Sequence, residues 1–412
     1  ACGAPQTLDF SYAPEGEELS SLMVETSQTH RAELEHVPSA ADFADAISDD
    51  PASAGLLSES EVESLLRGHA AMETVSKEQA QSDVSLLFRT LQSAYGAYEY
   101  FGQEKFDAAE DAVTQWLSSQ DDEIKVSALG EKLQESLAFM LAHDAHAVIY
   151  EPAAEEIEAQ VRYEYFFADG FYFSKDVNGS YYMVNDGERW TLSSFSDEHV
   201  SVQPTLLQDG RIVYQPTLFA LRKDAVQSSV TLKNSSGKAK IYRLDWTESQ
   251  PLDVDLGTLD YRLIQEDGLT YVSLRSFVSG TYDNMLARYA REGAKARGSK
   301  AVIYDLRGNV GGSDSWPRKW IQSFLGTQNS IETSMLYAQK NSALFAAENS
   351  ESLLPEDEGT CFAREVHGTW YENDIPIIVL VDDHCGSSGE GAVQLLKTLD
   401  NVLVVGSNTA GY

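Results

Sequence analysis

The chain has 412 residues, with 30 Lys and Arg against 65 Asp and Glu, a formal net charge of −35 at pH 7. A surface this acidic repels phosphate backbones and anionic lipid faces, since nucleic-acid affinity comes largely from cationic side chains that release counterions; nucleic acid is therefore excluded as an expected partner. Hydrophobic residues at 42% and charged residues at 23% are the composition of a globular chain with a sizeable core, and no apolar run reaches the ~18 residues needed to span a bilayer.

Residues 1–55 are rich in Ala, Ser, Glu and Asp with little periodicity, and read as a lead-in or loosely packed cap. Cys2, in Ala1-Cys2-Gly3, resembles what remains of a bacterial lipoprotein signal, in which the cysteine is lipidated. That reading implies an extracytoplasmic protein, secreted or lipid-anchored to the cell envelope; an incidental cysteine is the alternative. Residues 56–155 read as a helical N-terminal domain. Val84, Leu87, Phe88, Leu91, Tyr95 and Tyr98, then Leu133, Leu137, Met140 and Leu141, recur at three- and four-residue steps, the period of one helix face.

Residues 156–255 change character. Aromatic and β-branched residues alternate, punctuated by Asp169-Gly170, Asn178-Gly179, Asp186-Gly187 and Asp209-Gly210, dipeptides that supply the positive φ of tight hairpins. This is a β-rich module. Residues 256–412 read as α/β: a strand at Tyr271–Leu274, a helix over Asp283–Arg297, and near-continuous apolar strands at Ala301–Tyr304, Ile375–Val381 and Val402–Val405. Strands buried on both faces have this composition in sheets sandwiched between helices. The fold class expected for the whole is multi-domain α/β: a helical cap, a β-rich module and a C-terminal α/β core.

Open α/β sheets place their sites at the carboxyl ends of the strands, and three loops leave those ends here. The first is Asp305-Leu306-Arg307-Gly308-Asn309-Val310-Gly311-Gly312. A Gly-Gly pair opening a helix lets the backbone approach a ligand and offers free N–H groups in a positive potential, which suits a developing oxyanion; a tight turn that simply needs glycine has the same sequence. The second is Asp382-Asp383-His384-Cys385-Gly386-Ser387-Ser388-Gly389-Glu390. A serine between a buried strand and a helix start is the setting of an exposed nucleophile; an ordinary N-cap with a later Glu reads identically. The third element, His143-Asp144-Ala145-His146-Ala147, ends the helical region. The His143/His146 pair lacks a third ligand at metal-site spacing. Cys361, His367, His384 and Cys385 also match no metal pattern, so no metal or cofactor is expected. Cys361 and Cys385 are open to either a disulfide or buried thiols.

With these residues in view, the C-terminal 150 residues or so resemble peptidase family S41, the tail-specific or C-terminal processing serine proteases. The resemblance rests on three ordered motifs: Asp305–Gly312, Gly386-Ser387-Ser388-Gly389-Glu390 and Gly406-Ser407-Asn408-Thr409-Ala410-Gly411, with Tyr271–Phe277 matching the strand that opens the protease domain. It implies a core of the crotonase/ClpP-like type and Ser387 as nucleophile, three residues before Glu390. It also implies an oxyanion hole from the backbone of Ser388 and of Gly311 or Gly312. Where one branch of the family has a catalytic lysine, this chain has Tyr412, a phenol that is neutral near pH 7. The other, tricorn-like branch uses a histidine in an Asp-x-His-(Ala/Thr) motif, which Asp144-Ala145-His146-Ala147 fits. His146 is thus the implied general base, with His384 the alternative. The acidic residue that orients the histidine in that branch would lie beyond Tyr412, and the chain reads as truncated after a core strand. The β module stands where many relatives carry a PDZ domain, without a clear Gly-rich carboxylate-binding loop.

The function these features lead to is a serine endopeptidase acting on a peptide or protein substrate. Two alternatives are a non-catalytic protease-like binding or scaffold protein for a lipophilic or peptide ligand, and an esterase-type serine hydrolase.

Overall fold

A computed structural model describes residues 19–67, 72–144, 146–149, 163–168, 170–185, 187–207, 211–221, 228–248, 261–280 and 283–412. The chain divides into two compact units: residues 1–31, 163–331 and 370–411 form the first, and residues 32–162, 332–369 and Tyr412 the second. It is a mixed α/β protein with helices and several sheets, as the sequence pattern predicts.

The first unit holds the α/β core. Its central sheet has five strands: β1 (Arg262–Glu266), β2 (Leu269–Ser273), β3 (Ala301–Asp305), β4 (Ile377–Val381) and β5 (Val402–Gly406), hydrogen-bonded in that order. β1 and β2 form an antiparallel hairpin, and β2, β3, β4 and β5 run parallel. Three helices connect the parallel strands: α1 (Asp283–Glu292) after β2, α2 (Ser315–Leu325) after β3 and α3 (Ser388–Leu396) after β4. Val302, Tyr304, Ile377, Val379 and Val402 meet Leu286, Tyr289, Trp320, Phe324, Leu395 and Leu396 in one core.

The helix read over Asp283–Arg297 is α-helical only to Glu292 and continues as a 3-10 segment, Gly293–Gly298. α2 approaches closely at that point: a Cβ on Gly293 would lie 2.3 Å from the Trp320 carbonyl oxygen. Gly293 lets the two helices touch backbone to backbone.

The same unit contains the β module, which is a pair of antiparallel sheets. One has five strands in the order Ala239–Leu244, Ser228–Lys233, Glu188–Phe195, Tyr181–Asn185, Ser174–Lys175; the other has four in the order Trp246–Glu248, Tyr163–Ala168, Ile212–Leu221, Val200–Leu206. Trp190, Phe173, Val230, Leu232 and Leu218 fill the space between them. Gly179 and Gly187 take φ of 79° and 73°, as their hairpin dipeptides require. Among the described residues 163–248 there is no helix.

The second unit is mainly helical. Ser76 caps the helix Lys77–Ala94, its side chain accepting the Gln79 N–H at 3.1 Å, and Ala80, Val84 and Phe88 present one buried face. That face meets Phe106, Ala109, Val113 and Leu117 of the helix Gln103–Ser118. The excursion 332–369, which sequence order alone puts with the α/β core, packs in this unit. Its hairpin of Met335–Lys340 and Cys361–Val366 is tied in by Lys340 Nζ on the Gln92 carbonyl at 2.7 Å and by the Cys361 N–H on Asp49 Oδ1 at 2.7 Å. Within the first 55 residues, helix Leu19–Glu35 buries Leu22, Met23 and Leu34, so part of that stretch is firmly packed. No helix among the described residues is long and apolar enough to cross a membrane. Cys2, the candidate lipidation site, lies outside the described residues. Cys361 and Cys385 are free thiols.

Candidate active site

The loops after β3, β4 and β5 converge in the first unit. The β3 loop is built on Asn309, which is fully buried. Its side-chain amide donates to the Leu274 carbonyl at 2.8 Å and its Oδ1 accepts the Gly311 N–H at 2.9 Å, while its own carbonyl accepts the Gly386 N–H at 2.9 Å. One residue therefore shapes the Gly-Gly turn and fastens it to the serine loop. Beneath it, Asp305 is fully buried and held by Arg307 at 2.9 and 2.8 Å and by the Tyr271 hydroxyl at 2.7 Å. Burial alone would push the Asp305 carboxyl up, but donation from Arg307 and Tyr271 and the nearby Arg275 charge hold it below the ordinary carboxylate value.

Gly311 and Gly312 need to be glycine for packing as well as for their φ of 97° and 138°. A Cβ on Gly311 would lie 2.7 Å from Ser387 Cβ and 2.8 Å from the Gly386 carbonyl oxygen; one on Gly312 would lie 2.1 Å from the Phe277 carbonyl carbon. The sequence offered Gly311 and Gly312 as alternative oxyanion donors, and the hydrogen bonds separate them. The Gly311 N–H is given to Asn309, whereas no acceptor among the described residues takes the N–H of Gly312 or of Ser388.

Ser387 stands between β4 and α3 with φ 51° and ψ −120°, a strained backbone for a residue with a Cβ. Neighbouring contacts over-determine it. Glu390 Oε2 accepts the Ser387 N–H at 3.2 Å, closing a capping box. Glu390 Oε1 accepts the Thr409 hydroxyl at 2.6 Å and the Gly411 N–H at 2.8 Å, and the Cys385 carbonyl accepts the Ala410 N–H at 2.8 Å. The third motif is thereby fastened to the second. Cys385, two residues before the serine, is fully buried, and burial raises its thiol pKa, which keeps it a protonated packing group.

Ser387, Ser388, Gly311 and Gly312 are thus brought together, with Gly389 fitted so closely that its Cβ would lie 2.7 Å from the Asn309 carbonyl oxygen. His384 Nδ1 lies 3.2 Å from Asp383 Oδ1. His146 belongs to the second unit, in a turn ordered by Asp144. The Asp144 carboxylate accepts the His146 and Ala147 N–H groups at 3.1 and 3.3 Å and the Tyr95 hydroxyl at 2.8 Å. In that unit the His146 ring meets the Tyr412 ring edge-on, with centroids 4.9 Å apart. Asn309 and Glu390 of the first unit hold the site together: Glu390 is the capping partner that the N-cap reading of the serine loop expects, whereas Asn309 had no assigned role. Their signal was present as a polar side chain at fixed spacing from the glycines and the serine, but only tertiary contacts reveal their partners.

Residues 268–412 match the family model of peptidase family S41. Among solved structures the chain is similar to a protein of Parabacteroides merdae ATCC 43184 assigned as a peptidase, at 16% identity and TM-score 0.36, covering 82% of this chain and 76% of that one. It is also similar to the photosystem II D1 C-terminal processing protease, at 13% identity and TM-score 0.30, covering 81% of this chain and 82% of that one. No curated protein sequence matches the chain.

Proposed function

We propose, from the match of residues 268–412 to the family model of peptidase family S41, that the chain is a serine endopeptidase with Ser387 as nucleophile. The observation that carries this reading is the posture of Ser387, at φ 51° and ψ −120° on a strand-to-helix turn beside two N–H groups, those of Ser388 and Gly312, that find no acceptor among the described residues. The Ser387 hydroxyl attacks the scissile carbonyl carbon while a base takes its proton. The tetrahedral oxyanion accepts from the Gly312 and Ser388 N–H groups, preorganised donors each worth about 10²–10³ in rate in such sites. Collapse expels the amine, which takes the proton back from the base, and water then hydrolyses the acyl-enzyme by the same cycle. The base is assigned to His146, supported by its Asp-x-His motif and by the Asp144 cap that orders its turn; histidine is the side chain most often used for such proton transfer.

The extracytoplasmic setting belongs to this proposal too. Lipidation at Cys2 is checked by metabolic palmitate labelling, which should fail in Cys2→Ala. Catalysis is checked by digesting a peptide library beside short-chain esters. Cleavage of peptides, lost in Ser387→Ala and in His146→Ala, is the expected result; ester turnover alone would move the chain to the esterases, and turnover of neither would leave a protease-like binding protein.

A further inference from the structure

β4 ends on three consecutive side chains that the peptidase reading does not use. Asp382 Oδ2, Asp383 Oδ1 and His384 Nδ1 are each shielded from solvent, and none has a hydrogen-bond partner among the described residues. All three atoms lie within 4.8 Å of one another, with His384 Nδ1 3.2 Å from Asp383 Oδ1 and 3.9 Å from Asp382 Oδ2. Asp382 is only 4% exposed. Its other oxygen is committed to the Gly308 and His384 N–H groups at 2.8 and 3.2 Å, which fixes the carboxylate with Oδ2 in the cluster. Successive side chains on a strand point to opposite faces; these converge because the chain is already turning, the Cys385 N–H reaching back to the Asp382 carbonyl at 3.0 Å.

Buried oxygens without donors are costly, and an unexplained set of them points to an ion or water. A proton on His384 Nδ1 serves one carboxylate oxygen at a time, whereas a cation serves all three atoms together. The neighbouring guanidinium of Arg307 does not fill this role, because its Nε and Nη2 are engaged by Asp305 at 2.9 and 2.8 Å. We propose that Asp382, Asp383 and His384 bind a first-row divalent cation, with Zn²⁺ the best match to one imidazole and two carboxylates. Zinc bonds of about 2.0–2.2 Å put tetrahedral ligand atoms about 3.4 Å apart, so modest side-chain rotation closes the observed triangle around the ion. Asp383 and His384 are partly exposed, so the cluster lies close to the surface. Sequence spacing hid this site, since three adjacent ligands match no zinc motif. Bound metal would brace the turn that leads into Ser387 and occupy the Nδ1 of His384.

The inference does not depend on the peptidase reading, and its test does not use activity. Calorimetric titration of the chelator-treated full chain with ZnCl₂ should give one ion per chain, with affinity reduced about tenfold or more in His384→Ala and in Asp383→Asn. Circular dichroism checks that both variants fold, and Ser387→Ala should bind as the wild type does. Substituted Co²⁺ should show no thiolate charge-transfer band. Absence of binding, binding unchanged in both variants, or a thiolate band from Cys361 or Cys385 would overturn it.

Discussion

Replacing Gly311 by alanine tests the packing of the site at its tightest point. The new Cβ would sit 2.7 Å from Ser387 Cβ, 2.8 Å from the Gly386 carbonyl oxygen and 3.0 Å from the Ser388 nitrogen. Carbon atoms settle at about 3.5–4.0 Å, so Ser387 and the Gly-Gly turn must separate by about 1 Å. A displacement of that size in a catalytic group costs about 10²-fold in rate. The backbone adds a second cost: at φ 97° an alanine is strained by about 1–3 kcal/mol. The variant should therefore fold with stability lower by that amount, and its rate of reaction with a fluorophosphonate should fall about 10²-fold. Labelling kinetics followed by intact mass, with urea unfolding in parallel, measure both. Gly96→Ala, where a Cβ meets nothing within 4 Å, is the control. Labelling of Gly311→Ala at the wild-type rate, in a protein of wild-type stability, would refute the close packing of Gly311 on Ser387.

Other outcomes follow from the same contacts. Glu390→Ala removes the acceptor of the Ser387 and Gly411 N–H groups and of the Thr409 hydroxyl. Hydrogen bonds to charged groups contribute about 1.5–3 kcal/mol each, so labelling of Ser387 should slow by about tenfold or more while circular dichroism stays native. The Asp305 carboxyl titrates lower in the folded chain than in the unfolded one, because Arg307 and Tyr271 donation outweighs burial. Its stabilisation is therefore complete above the unfolded value of about 3.9 and is lost as pH falls through the folded value. Urea unfolding should weaken below about pH 4 more steeply in the wild type than in Asp305→Asn. At neutral pH, Asp305→Ala leaves Arg307 and Arg275 without their buried partner and should cost about 3–5 kcal/mol. Trp320→Ala, which empties a fully buried position between β3 and α1, should lower stability by about 3–5 kcal/mol.

The α/β core was legible because its strands are buried on both faces, so Ala301–Tyr304, Ile375–Val381 and Val402–Val405 stand out as apolar runs. The hairpins of the β module were legible for a different reason: Asn178-Gly179 encodes a backbone conformation that few other pairs adopt. Two features were hidden. The helix after β2 ends in a 3-10 segment that packs on a residue 27 positions downstream, Trp320 against Gly293, and local periodicity carries no record of such a contact. The excursion 332–369 contains no signal of the unit it joins; Lys340 declares it only through tertiary partners, the Gln92 carbonyl at 2.7 Å and the Asp50 carboxylate at 3.7 Å.

The candidate site divides in the same way. Motif spacing singles out Ser387 and the glycines, and the structure brings them together. Which N–H groups are left over it does not single out, because that is settled by the Asn309 side chain choosing Gly311. The roles of Asn309 and Glu390 likewise depend on partners tens of residues away or across a turn. Motifs thus named the residues that converge, and the hydrogen bonds among them decide which N–H groups are left without a described acceptor.

The account rests most heavily on Ser387 as the reacting group. Incubation with a fluorophosphonate followed by proteolytic mapping tests it directly. One adduct per chain, on Ser387 and absent from Ser387→Ala, is the predicted result; an intact chain that takes no adduct, or takes it on another residue with Ser387→Ala labelled as the wild type is, would contradict it.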